Sequence, residues 1–232
     1  MKNQNKGFTL VEIMVAIVIG VISIAAAFSA YGYFNKTYNS VSQKAAINNS
    51  AREALSVISR DLKNAGYVDI NYTKIAKSDI KLIYLQQKTL AKLDSLTVWY
   101  TTSPNDIMKV QYQPKKYQGS EKMYLARSVV MNPGHSSQSI VYDNLEFVSN
   151  IVDFQAVLRD KEGNDLWACD NCKAQTAEIY LTIESAKEIF NVDRDITITN
   201  HDSLYGNSLR FKDKYYRETF FASVYPRNLS NN

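Results

Sequence analysis

Three groups of residues have the types and spacing to do chemistry. Gly7, Phe8 and Glu12 stand where a short basic leader, carrying Lys2 and Lys6, meets a long apolar run. A carboxylate inside such a run costs several kcal/mol if unpaired in hydrocarbon, so Glu12 reads as functional. Cys169 and Cys172 form W-A-C-D-N-C. An exported chain would hold them as a disulfide, and a cytosolic one would suggest a redox or metal pair. A redox pair normally opens a helix after a strand, whereas this one sits between a turn-like segment and an expected strand. A metal site would need two more ligands, and His135 and His201 are both remote in sequence. A structural disulfide is the preferred reading, with free thiols and redox or metal chemistry as alternatives. So short a loop would constrain only about 1–2 kcal/mol of chain entropy.

The third group is Asp160, Glu162, Asn164 and Asp165, crowded around Gly163. Oxygen ligands at such spacings suit calcium. The full cation-loop pattern is missing, so a solvated turn is the better reading. No catalytic residues, metal or cofactor are expected. The chain has no G-x-S-x-G, no H-E-x-x-H and no glycine-rich phosphate loop. Its two histidines stand in separate segments and give no support for a Ser–His–Asp arrangement.

The elements that would position these residues begin with the apolar run. Residues 8–28 are apolar apart from Thr9, Glu12, Gly20 and Ser23, and roughly 20 helical residues cross a bilayer. The basic leader places its own end in the cytoplasm and the rest of the chain on the far side. Ala25 to Ala27 offer a small-residue cleavage site of the ordinary secretory kind. Gly7 and the embedded Glu12 oppose that reading. The stretch K-G-F-T-L-V-E ahead of a long apolar helix resembles the class III signal of type IV pilins and type II secretion pseudopilins.

The resemblance implies that a prepilin peptidase cuts between Gly7 and Phe8 and methylates the new N-terminal Phe8. It also implies that Glu12 offsets the charged amine of a neighbouring subunit during filament assembly. Within one subunit the amine and Glu12 would lie one helical turn apart.

The pattern changes past the span. Tyr31, Tyr33 and Phe34 fall where an interfacial belt is expected, and Gly32 could mark a bend. Val41, Ala45, Ala51, Ala54, Leu55, Ile58 and Leu62 then follow helical spacings between polar residues. Gly66, just past Lys63, is a plausible stop. One helix over residues 8–65 would be roughly 85 Å long. Beyond it, residues 80–85, 94–100, 107–112, 122–130, 140–147, 151–159, 177–183 and 220–225 read as strands. Pro226 would end the last of these or place it at an edge. The expected fold is α+β: a long N-terminal transmembrane and amphipathic helix packed on an antiparallel β-sheet head. The expected division is a cleaved leader (1–7), a transmembrane segment (8–34), its amphipathic continuation (35–66) and a β-rich periplasmic head (67–232).

Residues 51–67, A-R-E-A-L-S-V-I-S-R-D-L-K-N-A-G-Y, resemble PilW-type minor pilins through Arg60, Asp61, Ala65, Gly66 and Tyr67. The D-S-L-T-V and V-D-F-Q segments resemble the same group. So does the C-terminal R-x-x-F-x-x-x-V-x-x-R-N, through Arg217, Phe220, Val224, Arg227 and Asn228, with Pro226 departing from the expected leucine. The J pseudopilin of type II secretion has a similar plan and is the alternative. The resemblance implies a subunit of a priming or tip complex, with other minor pilins, the major pilin, the prepilin peptidase and the inner-membrane assembly platform as partners. It implies a single-pass inner-membrane protein with a periplasmic head, later incorporated into the pilus. An adhesive or DNA-uptake tip is a third reading.

Composition narrows these classes. Eight glycines and four prolines in 232 residues exclude collagen-like and low-complexity chains. The formal net charge of +4 falls to about +2 when Lys2 and Lys6 are removed. The basic residues are scattered, so no nucleic-acid partner is expected. Sixteen tyrosines suit strands and semi-exposed protein contacts.

Overall fold

The computed structural model describes residues 8–76, 80–88, 92–166, 172–198 and 208–229. Helix α1 spans Leu10–Asn64 and passes Gly32 without interruption. The chain divides into two compact units, Met1–Gln43 and Lys44–Asn232. In the first, no described residue is buried, and side chains such as Leu10, Ile17, Val21 and Phe28 are more than half exposed on every side of the helix. Ser23 is no exception to this apolar surface, because its hydroxyl donates to the Ile19 carbonyl at 2.8 Å. The segment is long and apolar enough to cross a membrane.

The second unit holds the end of α1 and nine strands: β1 (Ile83–Lys88), β2 (Lys92–Ser103), β3 (Asp106–Lys116), β4 (Met123–Met131), β5 (Ser139–Arg159), β6 (Thr176–Glu184), β7 (Arg194–Ile198), β8 (Leu209–Asp213) and β9 (Arg217–Val224). Seven form one antiparallel sheet in the order β1-β2-β3-β4-β5-β6-β9, and β7 pairs with β8 separately. The helix contributes Ile47, Ala51, Ala54, Leu55, Ile58 and Leu62 to the core. That stripe starts later than the sequence suggests. Val41 and Ala45 are exposed, because at about 100° per residue they fall off the phase that Ile47 opens.

The strands alternate over this stripe. Ala177, Ile179, Leu181 and Ile183 of β6 all join the core, while the intervening Glu178 and Tyr180 are only half-buried and Thr182 is buried. A smaller cluster, Tyr72, Ile80, Trp99 and Ile107, forms on the opposite face of β2 and β3. Two expected strands, 140–147 and 151–159, are one strand, β5. The Ser149–Asn150 break is absorbed within it, since Asn144 and Asn150 take left-handed backbone angles, φ 50° and 51°, which asparagine tolerates. Strands β7 and β8 were not expected; both are short, and neither carries a long branched or aromatic run.

Gly66 ends the helix, though not by an ordinary cap. Its φ is +80°, but its N–H donates to the Trp99 carbonyl of β2 at 2.9 Å. The next residues continue along β2. Thr101 donates its N–H to the Tyr67 carbonyl at 2.8 Å, and Asp69 donates its N–H to the Thr101 hydroxyl at 2.9 Å. The C-terminal segment closes over the same place. Asn228 Nδ2 lies 3.5 Å from the Lys63 carbonyl, and Leu229 is buried in the core. A Cβ at Gly66 would stand 2.6 Å from Leu229 Cδ2 and 3.3 Å from the Asn228 carbonyl oxygen. Gly66→Ala therefore combines backbone strain with a clash and should lower stability by about 1–3 kcal/mol. Urea unfolding of the full chain in detergent measures this, and a loss below about 0.5 kcal/mol, typical of inert surface sites, contradicts it.

Candidate functional site

The start of α1 is built by Thr9 and Glu12. The Thr9 N–H donates to Glu12 Oε2 at 2.7 Å, and the Thr9 hydroxyl donates to the same oxygen at 2.9 Å. In return the Glu12 N–H lies 3.3 Å from Thr9 Oγ1. This is a capping box: Thr9 precedes the helix and Glu12 is its third residue, so each satisfies an amide that the first turn leaves without a partner. Sequence reasoning tied Glu12 to the amine of Phe8 and missed Thr9. The T-x-x-E spacing was the available signal. Gly7 lies outside the described residues, and Phe8 is exposed just ahead of the box.

A second polar centre sits at the far end of the helix. Asp61 has no exposed surface, and it falls on the buried stripe, between Ile58 and Leu62. Its carboxylate is met by one side chain from each of three adjacent strands. Tyr100 of β2 donates its hydroxyl to Oδ1 at 3.0 Å. Tyr112 of β3 donates to Oδ2 at 2.6 Å, and Arg127 of β4 donates from Nη2 to Oδ2 at 2.9 Å. Tyr112 and Arg127 are direct cross-strand partners, and Arg127 Nε also donates to the Tyr112 hydroxyl at 3.2 Å. Arg60, the neighbour expected to act with Asp61, is largely exposed and stands 3.6 Å away. The sequence flagged Asp61 but none of its three strand partners.

The remaining candidates resolve into structural roles. Arg217 packs its guanidinium over Phe211 at 4.1 Å and binds Asp213 at 2.8 Å; it also pairs with Glu184. That hydrogen bond holds the Asp213 carboxyl below its ordinary value. Phe220 packs against the core and Val224 is buried within it, while Arg227 is exposed. Asp160 accepts from the Asn164 N–H at 2.8 Å and from its side-chain amide at 2.9 Å, which closes the turn on itself. Asp165 is taken by Arg159 at 2.8 Å. These carboxylates thus have protein partners, and no cluster of metal-ligating residues occurs among the described residues. His135 sits in a turn, where its Nδ1 accepts from the Ser137 N–H at 3.1 Å. Cys169 and His201 lie outside the described residues; Cys172 packs against the core.

Burial pushes the phenols of Tyr100 and Tyr112 well above the ordinary tyrosine value, and the Asp61 charge and hydrogen bond push them further, against the opposing charge of Arg127. Unfolded tyrosine loses its proton near pH ~10, while these two hold theirs. Above that pH the unfolded chain binds fewer protons than the folded one, so stability is present below about pH 10 and falls as pH rises. Unfolding midpoints of the full chain, followed upward from about pH 8, should drop steeply beyond about pH 10. Tyr100→Phe/Tyr112→Phe should start lower and show a shallower alkaline decline. An unchanged slope in that variant would sink the assignment.

Comparison with known proteins bears on the start of α1 and on the fold. Residues 2–28 match the family described as the prokaryotic N-terminal methylation motif. No curated protein sequence matches the chain. Among solved structures, a type IV-like pilin from Thermus thermophilus is similar, with a TM-score of 0.55 at 12% identity, over 80% of this chain and 97% of that one. An identity so low speaks to the fold alone. The apolar helix with its methylation motif fits membrane anchoring, and the fold of the chain is type IV pilin-like.

Proposed function

We propose that this chain is a PilW-type minor pilin, made with a class III leader and assembled with other pilins in the priming or tip complex of a type IV pilus. The observation that carries the reading is the K-G-F-T-L-V-E junction, followed by an apolar run whose large side chains are exposed. Residues 1–7 are the leader, 8–34 the transmembrane segment, 35–66 its amphipathic continuation and 67–232 the periplasmic head. Prepilin peptidase cuts between Gly7 and Phe8 and methylates Phe8. The assembly platform of the inner membrane then delivers the subunit to the other minor pilins and the major pilin. Support for the PilW-type reading comes from two separated motifs that touch: A-G-Y at the end of α1 and R-N near the C-terminus meet at Gly66, Asn228 and Lys63.

In this proposal Glu12 serves assembly. Both Thr9 bonds fall on Oε2, which leaves Oε1 to accept the amine of a neighbouring subunit. A low dielectric strengthens that attraction and fixes the axial register between subunits. Intact-mass analysis should show loss of residues 1–7 and one added methyl; retention of Lys2, or cleavage near Ala27, overturns the class III reading. Glu12→Gln keeps the capping box but not the charge. It should be cut and folded normally, yet be depleted about tenfold from pili, equivalent to ~1.4 kcal/mol of lost pairing. Co-isolation with the other pilins reads this, and undiminished assembly removes the role from Glu12.

The cysteines form a disulfide in the same proposal, since an exported chain meets an oxidising compartment. Thiol labelling without reductant should find Cys169 and Cys172 both blocked. The double serine variant should fold with a loss of only about 1–2 kcal/mol. Two readily labelled thiols in freshly isolated protein would refute the pairing.

A further inference from the structure

Asn35, Asn48, Asn71 and Asn228 each begin an N-x-S/T triplet, the acceptor pattern for attachment of sugar to an asparagine amide. Such a triplet can be read only where the amide and the hydroxyl are accessible from one side. On a helix, residues two apart do not share a face. Asn35 and Asn48 both lie within α1. The Asn48 amide is also occupied, donating to the Lys44 carbonyl at 3.1 Å and to Glu218 Oε2 at 3.3 Å. Asn228 Nδ2 turns to the Lys63 carbonyl, and Ser230 of its triplet lies outside the described residues. Asn71 differs on each count.

Its segment, D-I-N-Y-T over residues 69–73, follows the helix stop at Gly66. The Tyr72 N–H donates to the Asp69 carbonyl at 3.1 Å, which closes a turn with Asn71 at its third position. The Asn71 N–H donates to Asp69 Oδ1 at 2.8 Å, a local bond that fixes the backbone and leaves the asparagine side chain out of the turn. The Asn71 side-chain amide makes no hydrogen bond among the described residues. Asn71 and Thr73 are both exposed, while Tyr72 between them is 2% exposed. Tyr72 joins Ile80, Trp99 and Ile107 in the smaller cluster, and its hydroxyl donates to Asn132 Oδ1 at 3.3 Å. The buried tyrosine thus pins the middle of the triplet. Amide and hydroxyl are left on the outward side, as alternate residues of an extended segment are. Ile70, in the same turn, is 83% exposed.

We propose that Asn71 is an N-glycosylation site, read together with the Thr73 hydroxyl by a transferase on the exported side of the membrane. The donor is of the class in which a saccharide is joined through pyrophosphate to a lipid carrier. Asn71 Nδ2 bonds to the anomeric carbon as the bond from that carbon to the pyrophosphate oxygen breaks. The electron pair of the broken bond leaves with the pyrophosphate, and one amide proton passes to a base of the transferase. Nothing is oxidised or reduced. A saccharide at this position sets a bulky, solubilising group beside the exposed Ile70. The inference rests on export of the head in the reading above, and not on a place in a priming or tip complex.

The test uses the full chain, extracted in detergent from the cells that make it. Intact mass reports the leader and any added saccharide together, and mass mapping of the peptide that holds residue 71 reports the site. The mature chain should carry whole sugar residues on that peptide. Asn71→Gln and Thr73→Ala should each lose them completely, while Thr73→Ser, which restores a hydroxyl, should keep them. Matching thermal midpoints show that the variants are folded. A chain that has lost residues 1–7 and bears no saccharide at residue 71 overturns the inference alone. A chain that keeps its leader and bears none overturns the class III reading with it. Saccharide that remains on the same peptide in Asn71→Gln would sit on a hydroxyl instead, and saccharide that remains in Thr73→Ala would be attached without the triplet. Either result also overturns the inference.

Discussion

A carboxylate without exposed surface must find its hydrogen-bond donors inside the protein, and Asp61 finds them on three strands at once. The apolar stripe of α1 would bury almost as much surface if the helix slid or rolled slightly, because hydrophobic burial has no direction. The Asp61 set does have direction. Both oxygens are satisfied only where the helix brings this residue over Tyr100, Tyr112 and Arg127 together. Losing one partner from a buried charged set costs about 3–5 kcal/mol, whereas replacing the whole set by apolar groups can be neutral. Its contribution is therefore to register more than to total stability. With that register fixed, Gly66 arrives beside Trp99 and can hand the chain from helix to sheet edge.

The two parts of α1 obey different solvents. From Ile47 onward one face is apolar and meets the sheet. Over residues 8–34 the helix is apolar on nearly every side, and these residues are almost all exposed. A surface of this kind is stable only in lipid or among other apolar helices. A single helix thus carries one face packed on the sheet and one apolar segment left exposed. Gly20 illustrates the second: an added Cβ would meet nothing within 4 Å, so no contact inside this chain calls for glycine there.

Much of the fold could be read from the sequence because its elements are long and strongly patterned. The apolar run, the stop at Gly66 and the D-S-L-T-V-W-Y strand each carry several agreeing signals. The errors fall where signals were short or compensated. Strand β5 looked like two because Ser149 and Asn150 resemble a turn, yet asparagine accommodates a left-handed residue inside a strand. Strands β7 and β8 are five residues each, too short for alternation to stand out. At the candidate sites, sequence named Asp61, Gly66, Arg217 and Glu12 but not their partners. Tyr100, Tyr112 and Arg127 are separated from Asp61 by dozens of residues, and no local pattern marks them. Thr9 was in local reach, since T-x-x-E is a capping pattern. The basic leader and the apolar run drew the reading toward the membrane instead.

That capping box alters what Glu12 must be. In hydrocarbon the first amides of a helix cannot turn to water, and each unsatisfied one costs several kcal/mol. Thr9 and Glu12 remove two of them from the account without any partner subunit. Both residues lie beyond the Gly7–Phe8 bond, so cleavage there would leave the box whole. On the proposed reading the carboxylate would have two duties: it closes the helix end through Oε2 and would present a negative charge through Oε1. The first duty holds that charge in place, since an oxygen fixed by two Thr9 donors leaves the other little freedom to wander. A preorganised acceptor loses less entropy when an amine arrives than a freely rotating side chain would. The helix cap and the assembly contact proposed for Glu12 are in this way mutually supportive, with the intrasubunit bonds orienting the intersubunit one.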